Sequence, residues 1–406
     1  MLQARLQDGK VLTPAVIRKE ELRELKARKV IFYCPVCGEK VILRAGEKVI
    51  PHFAHTAQAN CPSTSGGEGP YHEQGKLLLY QWLTKQEIKV ELELYIPEIK
   101  QRPDFLIHLN GKRIALEYQC SKIPNQQIID RTSGYKQIGI QVIWILGEKL
   151  LKRKSKHRIK IDSFAQTLIH QFSTSYPQSL FYFCPQKLKF IKIQDLSFLG
   201  NNSVAGNFTI LPLKNRTIVD LFSSANLSNS SLISTWRQEK QRFRLRPRSK
   251  LYGAELQWHQ WLYLKGIHFQ QLPAFIHLPV KGAHLMKSAS WNWQSRLVFD
   301  LIDSIKLGYE FSFTQCVRLL RNDINSEKNF PLIQSNHHPI MEYLQLLVQL
   351  GILEQTSMHT FKKMKSIHKH QQIDYALEDD EQIIKNLFSE NQTKYEHDVS
   401  LFRYTK

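Results

Sequence analysis

The residues with the clearest chemical potential are two carboxylates around a short β-hairpin. Asp104 stands before one apolar, β-prone segment, and Glu117 lies on a second. Between these segments, Asn110 and Gly111 form the pair that most strongly favours a two-residue hairpin turn. Because side chains alternate along a strand, Glu117 and Gln119 share one face, and Asp104 lies close to Glu117 across the hairpin.

The chemistry of such a pair depends on its charge. Asp104 and Glu117 repel each other unless a cation lies between them. Ligands that offer only oxygen suit Mg²⁺ or Mn²⁺. A water acidified by such an ion is a nucleophile for phosphodiester hydrolysis. The alternative is an exposed polar face, on which both carboxylates are simply solvated.

The flanking segments predict the elements that would position these carboxylates. Apolar residues at helical spacing predict a helix over 73–85, and strict alternation predicts a strand over 89–95. After the hairpin, residues 125–137 predict a second helix that stops near Gly139. Residues 141–146 form an apolar run, which is typical of a strand buried on both faces. The predicted order of elements is therefore αβββαβ.

This order resembles the PD-(D/E)XK nuclease core. Its signature appears as Arg102-Pro-Asp104, a spacer of twelve residues, and Glu117-Tyr-Gln119. In that superfamily the matching Asp and Glu hold the metal. Gln119 departs from the pattern, whose third residue is usually a Lys that stabilises the attacking hydroxide or the phosphate. Gln can only orient a water, so Lys76 on the preceding helix is a candidate for the missing cation.

Four longer motifs carry a narrower resemblance, namely YHEQGK, RPDFLI, IALEYQCSKI and VIWILG, together with the pair Arg131 and Tyr135. They resemble the competence protein CoiA family of naturally transformable Gram-positive bacteria. The resemblance is specific over residues 32–147 and looser over the whole chain. It implies a DNA-processing protein of transformation, which helps incoming DNA recombine with the chromosome.

The helix before the hairpin offers second-tier catalytic candidates. His72 and Glu73 fall at its start, and in the superfamily an acidic residue on this helix often approaches the metal through water. The alternative for both is an ordinary surface helix start. On the next strand, either Glu91 or Glu93 reaches the metal, or both lie on a solvated face.

A group of cysteines and histidines near the N-terminus predicts a structural zinc site. Cys34 and Cys37 have the spacing of a zinc knuckle, followed by a glycine that permits the tight turn. His55 and Cys61 would complete a closed tetrahedral site, with His52 as a substitute ligand. A redox role for the pair is disfavoured, because no helix pattern follows it to lower a thiol pKa.

Length and charge point to a multidomain protein with a polyanionic partner. The 406 residues allow two or three domains. The net charge of +20 favours nucleic acid over an anionic membrane surface. No apolar run approaches membrane-spanning length, and the start of the chain lacks a signal-peptide layout, which predicts a cytoplasmic protein without membrane insertion. The expected partners are single-stranded or branched DNA and recombination proteins.

Several basic residues are predicted to contact DNA. Arg131 either holds a phosphate bidentately or packs on Tyr135 at the surface. The run over 149–160 is basic, with an apolar stripe at helical spacing, and predicts salt-sensitive contacts with the phosphate backbone. The predicted DNA-binding set is Arg102, Arg131, Lys152, Arg153 and Lys154.

The sequence predicts four regions. They are a zinc-binding module over 1–65, a nuclease-like core over 66–160, an ambiguous α+β or linker region over 161–250, and a mainly helical domain over 251–406. Composition predicts a flexible linker over 62–70. Within the third region, 181–184 and 188–193 predict strands and 201–208 predicts a loop.

The last part of the chain leaves its role open. Interleaved aromatic and basic residues over 236–250 either stack on unpaired bases or anchor a helix to its own domain. Helices over 313–320 and 338–350, followed by a basic strand-like segment, resemble a winged helix, which binds duplex DNA or a protein. The acidic residues 378–381 predict a mobile tail.

Three functions fit these features. The first is a Mg²⁺- or Mn²⁺-dependent DNA nuclease. The second is a catalytically weak or inactive DNA-binding and recruitment factor on a decayed nuclease fold, which Gln119 favours. The third is a zinc-ribbon and winged-helix regulator that binds specific duplex sequences.

Overall fold

The structure is a computed structural model that describes residues 1–46, 50–56, 61, 69–200, 202–246, 250–334 and 337–388. Three sheets, of five, nine and three strands, occur in these ranges. Each sheet is built from a consecutive part of the chain, so the three are described in order.

The N-terminal module is a small antiparallel sheet with one helix. Its sheet order is β2-β1-β3-β4-β5. The apolar cluster among its described residues has six buried members, two of which are Cys34 and Cys61. So small a core needs an additional source of stability. The elements are β1 (Ala4–Arg5), β2 (Val11–Leu12), α1 (Lys19–Ala27), β3 (Phe32–Tyr33), β4 (Lys40–Arg44) and β5 (His52–His55).

The second region begins with the predicted αβββαβ order. Asn110 and Gly111 have φ values of 51° and 72°, as the predicted two-residue turn requires. Neighbouring strands are antiparallel from β6 to β8, and β9 runs parallel to β8. The elements are α2 (Pro70–Thr84), β6 (Lys89–Leu92), β7 (Phe105–Leu109), β8 (Lys112–Gln119), α3 (Asn125–Gln137) and β9 (Gln141–Gly147).

The sheet does not stop at residue 160, where the sequence predicted a domain boundary. Its order is β10-β11-β14-β13-β12-β9-β8-β7-β6. The strands predicted over 181–184 and 188–193 are present, but the loop predicted over 201–208 is wrong. Val204 and Ala205 are fully buried there, so the polar residues around them belong to a strand. The added elements are β10 (Lys152–Arg153), β11 (Arg158–Lys160), α4 (Ser163–Thr167), β12 (Ser179–Cys184), β13 (Lys189–Gly200), β14 (Ser203–Pro212) and α5 (Ile218–Phe222).

The basic run over 149–160 is also not helical. It forms the antiparallel pair β10–β11, in which Lys152 lies opposite Lys160. Ile159 and Ile161 are buried in the core of the sheet. Their burial on one face of a strand outweighs the apolar spacing that suggested a helix.

Helices cover both faces of this sheet. Leu116 and Tyr118 belong to the apolar cluster that contains Leu79 and Leu83 of α2. Ala115 belongs to the cluster that contains residues of α3 and α4. Alternate residues of β8 therefore face two different layers, and β8 lies between the helices that carry the candidate site residues.

The C-terminal region is mainly helical, as predicted. Trp236 and Phe243 of α6 are buried, so these rings anchor the helix rather than stack on bases. A π turn, Val298–Ile302, extends α8. The elements are α6 (Asn229–Leu245), α7 (Gly253–Leu264), α8 (Ser290–Leu297), β15 (Glu310–Ser312), α9 (Phe313–Leu320), α10 (Pro339–Gln349), β16 (Leu353–Ser357), β17 (Thr360–Lys363) and α11 (Ile373–Phe388).

The mobile acidic tail predicted at 378–381 is wrong. These residues lie within α11, and Asp380 is buried. Its Oδ1 lies 2.9 Å from Lys240 Nζ, and its Oδ2 lies 2.5 Å from Arg244 Nε. Two buried cations of α6, Lys240 and Arg244, therefore bind α11 to the domain, although the acidic composition of this segment suggested that it was solvated.

Two further predictions concern segments that the structure covers only in part. Most of the linker predicted over 62–70 lies outside the described residues, as does 247–249 of the second basic stretch. Within the described part of the chain, no helix has both the length and the apolar character to cross a bilayer.

Candidate active site and metal centre

The start of α2 carries three of the candidate residues. Glu73 and Lys76 are buried, with 5% and 1% of their surface exposed, and His72 stacks on the ring of Tyr118 at a centroid distance of 5.5 Å. Gly75 permits this approach, because a Cβ atom there would lie 2.1 Å from the Tyr118 ring. A glycine thus brings the polar end of α2 against β8.

Asp104 lies where α2 meets the hairpin. Its Oδ1 is 2.9 Å from Lys76 Nζ and 3.9 Å from His72 Nε2. Its Oδ2 accepts a hydrogen bond of 2.8 Å from the backbone N–H of Tyr118. The Asp104 carboxylate therefore accepts a backbone hydrogen bond from β8 at a point where β7 has not yet begun and offers no carbonyl oxygen.

Extending the register of the hairpin by one residue beyond its last pair places Asp104 opposite Glu117, and the charge of Asp104 acts on Glu117. Phe105 pairs with Leu116, and the next residues outward along the two strands are Asp104 and Glu117. Residues directly opposite each other in an antiparallel pair share a face. The geometry thus brings together the two carboxylates that the sequence singled out.

Glu117 is buried and held from α3. Its Oε1 accepts a 2.5 Å hydrogen bond from the Tyr135 hydroxyl and another from Arg131 Nη2. Burial raises the pKa of Glu117, the positive charge of Arg131 opposes that rise, and the negative charge of Asp104 adds to it. The contribution of Asp104 is the signature of two carboxylates that share one site.

Glu93 joins this cluster in a way that the strand pattern did not predict. β6 ends at Leu92, and Glu93 has a φ of 48°, so the alternation predicted up to residue 95 stops here. Glu93 Oε1 forms an ion pair with Lys76 Nζ, and Arg102 Nη1 lies 3.9 Å from its Oε2. Glu91 instead pairs with His108 at 2.8 Å in a partly exposed position.

Gln119 takes a less central position than the signature suggests. It is half-buried, and its Nε2 donates a 2.7 Å hydrogen bond to the Ser121 carbonyl oxygen. The ammonium group beside Asp104 belongs to Lys76, on the other element that the sequence named. An amine therefore lies next to Asp104, although it does not come from the third position of the signature.

A separate group of side chains forms the candidate metal centre of the N-terminal module. The ligand atoms of Cys34, Cys37, His55 and Cys61 all lie within 4.8 Å of one another. Cys34 Sγ and Cys61 Sγ are 3.9 Å apart, and Cys37 Sγ is 3.4 Å from His55 Nε2. A tetrahedral zinc with Zn–S bonds of about 2.3 Å separates its sulfur atoms by roughly 3.8 Å. The donor set and its spacing thus fit zinc.

The electrostatics of these ligands also fit a cation. Burial and the neighbouring thiols of Cys34 and Cys61 raise the pKa of Cys37 to about 12. Burial and the charge of Arg102 lower the pKa of His55, which favours the neutral imidazole that binds metals. His52 does not join the group, because its Nδ1 lies 2.8 Å from the Ile50 carbonyl oxygen.

Comparison with known proteins decides the family. The family models for the N-terminal, nuclease-like and C-terminal domains of competence protein CoiA match residues 15–64, 68–226 and 232–393. The chain belongs to the CoiA family. The competence protein CoiA of Bacillus subtilis strain 168 is 28% identical over 350 residues, which cover 84% of this chain and 91% of that protein. No solved structure gives a significant match.

The extent of the CoiA nuclease-like domain agrees with the sheet. The matched residues end at 226, beyond β14 and α5, whereas the sequence had placed the end of the core at 160. The strands β12, β13 and β14 thus lie inside this domain.

The basic residues predicted to bind DNA fall into two groups. Arg102 and Arg131 are turned into the carboxylate cluster, and Arg131 donates to Glu117 and lies near a fully buried Tyr135 rather than at the surface. The residues Lys152, Arg153 and Lys154 are exposed on or beside β10.

Chain length limits how far this exposed group lies from the site. A Cβ atom on Gly147 would lie 3.0 Å from Cys120 Sγ, so the end of β9 is beside the end of β8. Lys152 is five residues further on and is therefore at most about 18 Å from Gly147. Arg153 also stacks on the Phe208 ring at 4.4 Å.

Two contributors were missed by sequence reasoning, because their contacts are distant in the chain. The backbone N–H of Leu2 donates a 2.9 Å hydrogen bond to Glu93 Oε2. His52, considered only as a zinc ligand, has its Nδ1 3.5 Å from Glu73 Oε2. Of the two, only His52 could have been noticed in the sequence, because it lies three residues before the candidate zinc ligand His55.

Proposed function

We propose that this CoiA-family protein is a PD-(D/E)XK nuclease that hydrolyses DNA with Mg²⁺ or Mn²⁺ during natural transformation. The observation that carries the proposal is the meeting of Asp104, Glu117 and Lys76 at one end of an αβββαβ unit. Three antiparallel strands followed by a parallel fourth match the core of that superfamily.

The donor set fits a hard divalent ion. Asp104 and Glu117 would hold it, since burial raises the pKa of Glu117, Arg131 opposes that rise, and the negative charge of Asp104 adds to it. When bound, such an ion supplies an acidified water as the nucleophile. His72, whose Nε2 lies 3.9 Å from Asp104 Oδ1, would orient a coordinated water, and Glu73 on the same turn of α2 is the second candidate for that role.

The lysine of the signature has its counterpart on α2. Lys76 Nζ is 2.9 Å from Asp104 Oδ1, which would bring its positive charge beside a phosphate bound through an ion at Asp104. Gln119 is left to orient water. Lys152, Arg153 and Lys154 would hold the DNA backbone through sequence-independent contacts.

A cleavage assay tests this assignment. Purified protein is incubated with single-stranded, duplex and branched DNA and Mn²⁺. Asp104→Asn and Glu117→Gln are expected to lower cleavage at least 100-fold, because each removes a negative charge from the metal ligands. The matched control is Glu91→Gln, an acid on β6 that pairs with His108 outside the cluster. Cleavage that survives Glu117→Gln unchanged would overturn the assignment.

The alternative is a DNA-binding recruitment factor without cleavage. Gln119 favours it, and so do the existing partners of the carboxylates, since Lys76 and Arg131 already neutralise Asp104 and Glu117. Calorimetric titration with Mn²⁺ separates the two functions. The recruitment factor predicts DNA binding with no Mn²⁺ binding that depends on Asp104.

The C-terminal region supports a protein partner more than a specific DNA sequence. β15 pairs with β17 of the β16–β17 hairpin, and α9 and α10 precede that hairpin, as in a winged helix. α10, the helix that would enter the groove, has no Lys or Arg in Pro339–Gln349. We therefore propose that this unit contacts a protein, such as a recombination factor. A consensus from selection on random duplex DNA would contradict this role.

A further inference from the structure

The N-terminal module lies directly against the carboxylate cluster. Leu2 is fully buried in the apolar cluster that contains Leu79 and Leu83 of α2, so the first residues belong to the core of the nuclease-like domain. The Leu2 N–H donates a 2.9 Å hydrogen bond to Glu93 Oε2. Glu93 is itself 3% exposed, so this bond forms away from water.

The same segment is joined to the metal centre. The Phe53 N–H donates a 2.9 Å hydrogen bond to the Met1 carbonyl oxygen, which binds the first residues to β5. β5 ends at the metal-centre residue His55 and begins at His52, whose Nδ1 is 3.5 Å from Glu73 Oε2. One four-residue strand therefore contacts both the candidate metal centre and the start of α2.

Contacts continue from Glu93 to the centre of the site. Glu93 Oε1 pairs with Lys76 Nζ, and the same nitrogen is 2.9 Å from Asp104 Oδ1. Asp104 Oδ2 in turn accepts the Tyr118 N–H. Low local dielectric makes each bond in such a buried network sensitive to its neighbours.

We propose that the N-terminal module is a structural part of the active site, in which the Leu2 N–H is a positioning group. The Leu2 N–H fixes Glu93, which fixes Lys76 and through it Asp104. The module thus holds the site in addition to any contact that it makes with DNA, and zinc binding stabilises the arrangement through β5. The inference depends on the proposed function only for its effect on cleavage.

The test uses a pair of variants in the full-length protein. Leu2→Pro removes the N–H and the leucine side chain, whereas Leu2→Ala removes the side chain and keeps the N–H. The readout is hydrogen exchange of the Tyr118 amide, which reports how firmly Asp104 is held and needs neither Mn²⁺ nor cleavage. We expect about tenfold faster exchange in Leu2→Pro than in Leu2→Ala, with equal zinc content in both.

Equal exchange in the two variants would overturn the inference. If Leu2→Pro fails to fold, chelation of zinc from the wild-type protein replaces it, and an unchanged Tyr118 exchange rate would again overturn the inference. Mn²⁺ affinity and cleavage are measured alongside. Faster Tyr118 exchange in a protein that neither binds Mn²⁺ nor cleaves DNA would contradict the nuclease proposal and support the positioning role.

Discussion

At the scale of single residues, the candidate site is a set of buried charges that neutralise one another. Lys76 lies between Glu93 and Asp104, and Arg131 lies against Glu117. Removing one partner of a buried ion pair leaves an uncompensated charge, which is far more costly than the pair itself is stabilising. Each of these residues is therefore tied to both stability and chemistry.

Lys76 is the residue at which these two roles separate best. Lys76→Met leaves two buried carboxylates without their ammonium group. We expect the free energy of unfolding of this domain to fall by about 3 kcal/mol. Cleavage is expected to fall at least 100-fold. Urea denaturation and the cleavage assay measure the two effects, and Lys85→Met, at an exposed position at the end of the same helix, serves as control.

A second change in the same background tests whether Lys76 replaces the lysine that the signature usually has at the position of Gln119. Gln119→Lys added to Lys76→Met returns an amine to the usual third position of the signature. Part of the lost cleavage is expected to return. A double variant as inactive as Lys76→Met would contradict the view that Lys76 replaces the missing signature lysine.

At the scale of elements, the site depends on how closely α2 approaches β8. Gly75 lies against the ring of Tyr118, and a Cβ atom at this position would be 2.1 Å from that ring. A side chain at this position would have to push the helix away from the strand. The spacing between α2 and the hairpin thus follows from one missing Cβ atom.

Gly75→Ala tests this dependence. Overpacking costs about 1–3 kcal/mol, and the higher helix propensity of alanine offsets about 1 kcal/mol of that cost. We expect a small loss of thermal stability and a larger loss of cleavage, because Lys76 moves with the helix. Gly200→Ala is the control, since a Cβ there meets nothing within 4 Å. Undiminished cleavage in Gly75→Ala would rule out this dependence.

The exposed basic pair β10–β11 makes a different prediction. Replacing Lys152, Arg153 and Lys154 with Gln is expected to weaken DNA binding at low salt and to reduce the dependence of log K on log salt by about 2. Fluorescence anisotropy over a salt series measures both quantities. The same change at three exposed lysines elsewhere, Lys214, Lys306 and Lys369, is the control, and equal effects would remove the special role of this hairpin.

At the scale of the whole molecule, buried histidines make stability depend on pH. Burial lowers the pKa of His170 to about 3 and that of His284 to about 4. An unfolded histidine titrates near 6.5, so below that pH the unfolded chain binds more protons than the native one. The stability that the neutral histidines contribute is complete above pH 6.5 and is lost as the pH falls toward 4.

The midpoint of thermal unfolding should therefore fall as the pH is lowered from 6.5 to 4. His170→Gln keeps an acceptor for the Trp144 N–H, which now donates to His170 Nε2 at 3.0 Å. It is expected to flatten the pH dependence, because one titrating group is removed. His368→Gln, at an exposed position, should leave the dependence as it is. If the thermal midpoint of His170→Gln depends on pH as strongly as that of the wild-type protein, His170 is not a source of the pH dependence.

Local signals account for what the sequence predicted well. The Asn110-Gly111 turn and the helix over 125–137 depend on neighbours within a few residues, and the structure has both. Asp104 and Glu117 meet because hairpin register follows from the turn. The extent of the core was predicted less well, since pairing of β9 with β12 joins residues more than thirty positions apart.

Contacts between residues that are far apart in the chain explain what the sequence did not predict. Glu93 meets Leu2 across 91 positions, and Asp380 meets Lys240 across 140. Asp380 was predicted from its acidic neighbours to be solvated, and for Glu93 a solvated strand face was one of two alternatives. The burial of each residue depends on a partner that no local pattern identifies.

The order of the large sheet also affects how the chain is made in the cell. The outer edge of β9 is covered by residues made later, namely His170, which accepts the Trp144 N–H, and Tyr182 and Phe183 of β12, which pair with Leu146 and Gly147. At translation rates of about 5–20 residues per second, the nascent chain presents this bare edge for roughly 2–7 seconds. Exposed apolar edges template association with other chains. A fragment ending near residue 160 would keep that edge permanently, and we expect it to aggregate rather than yield a working domain.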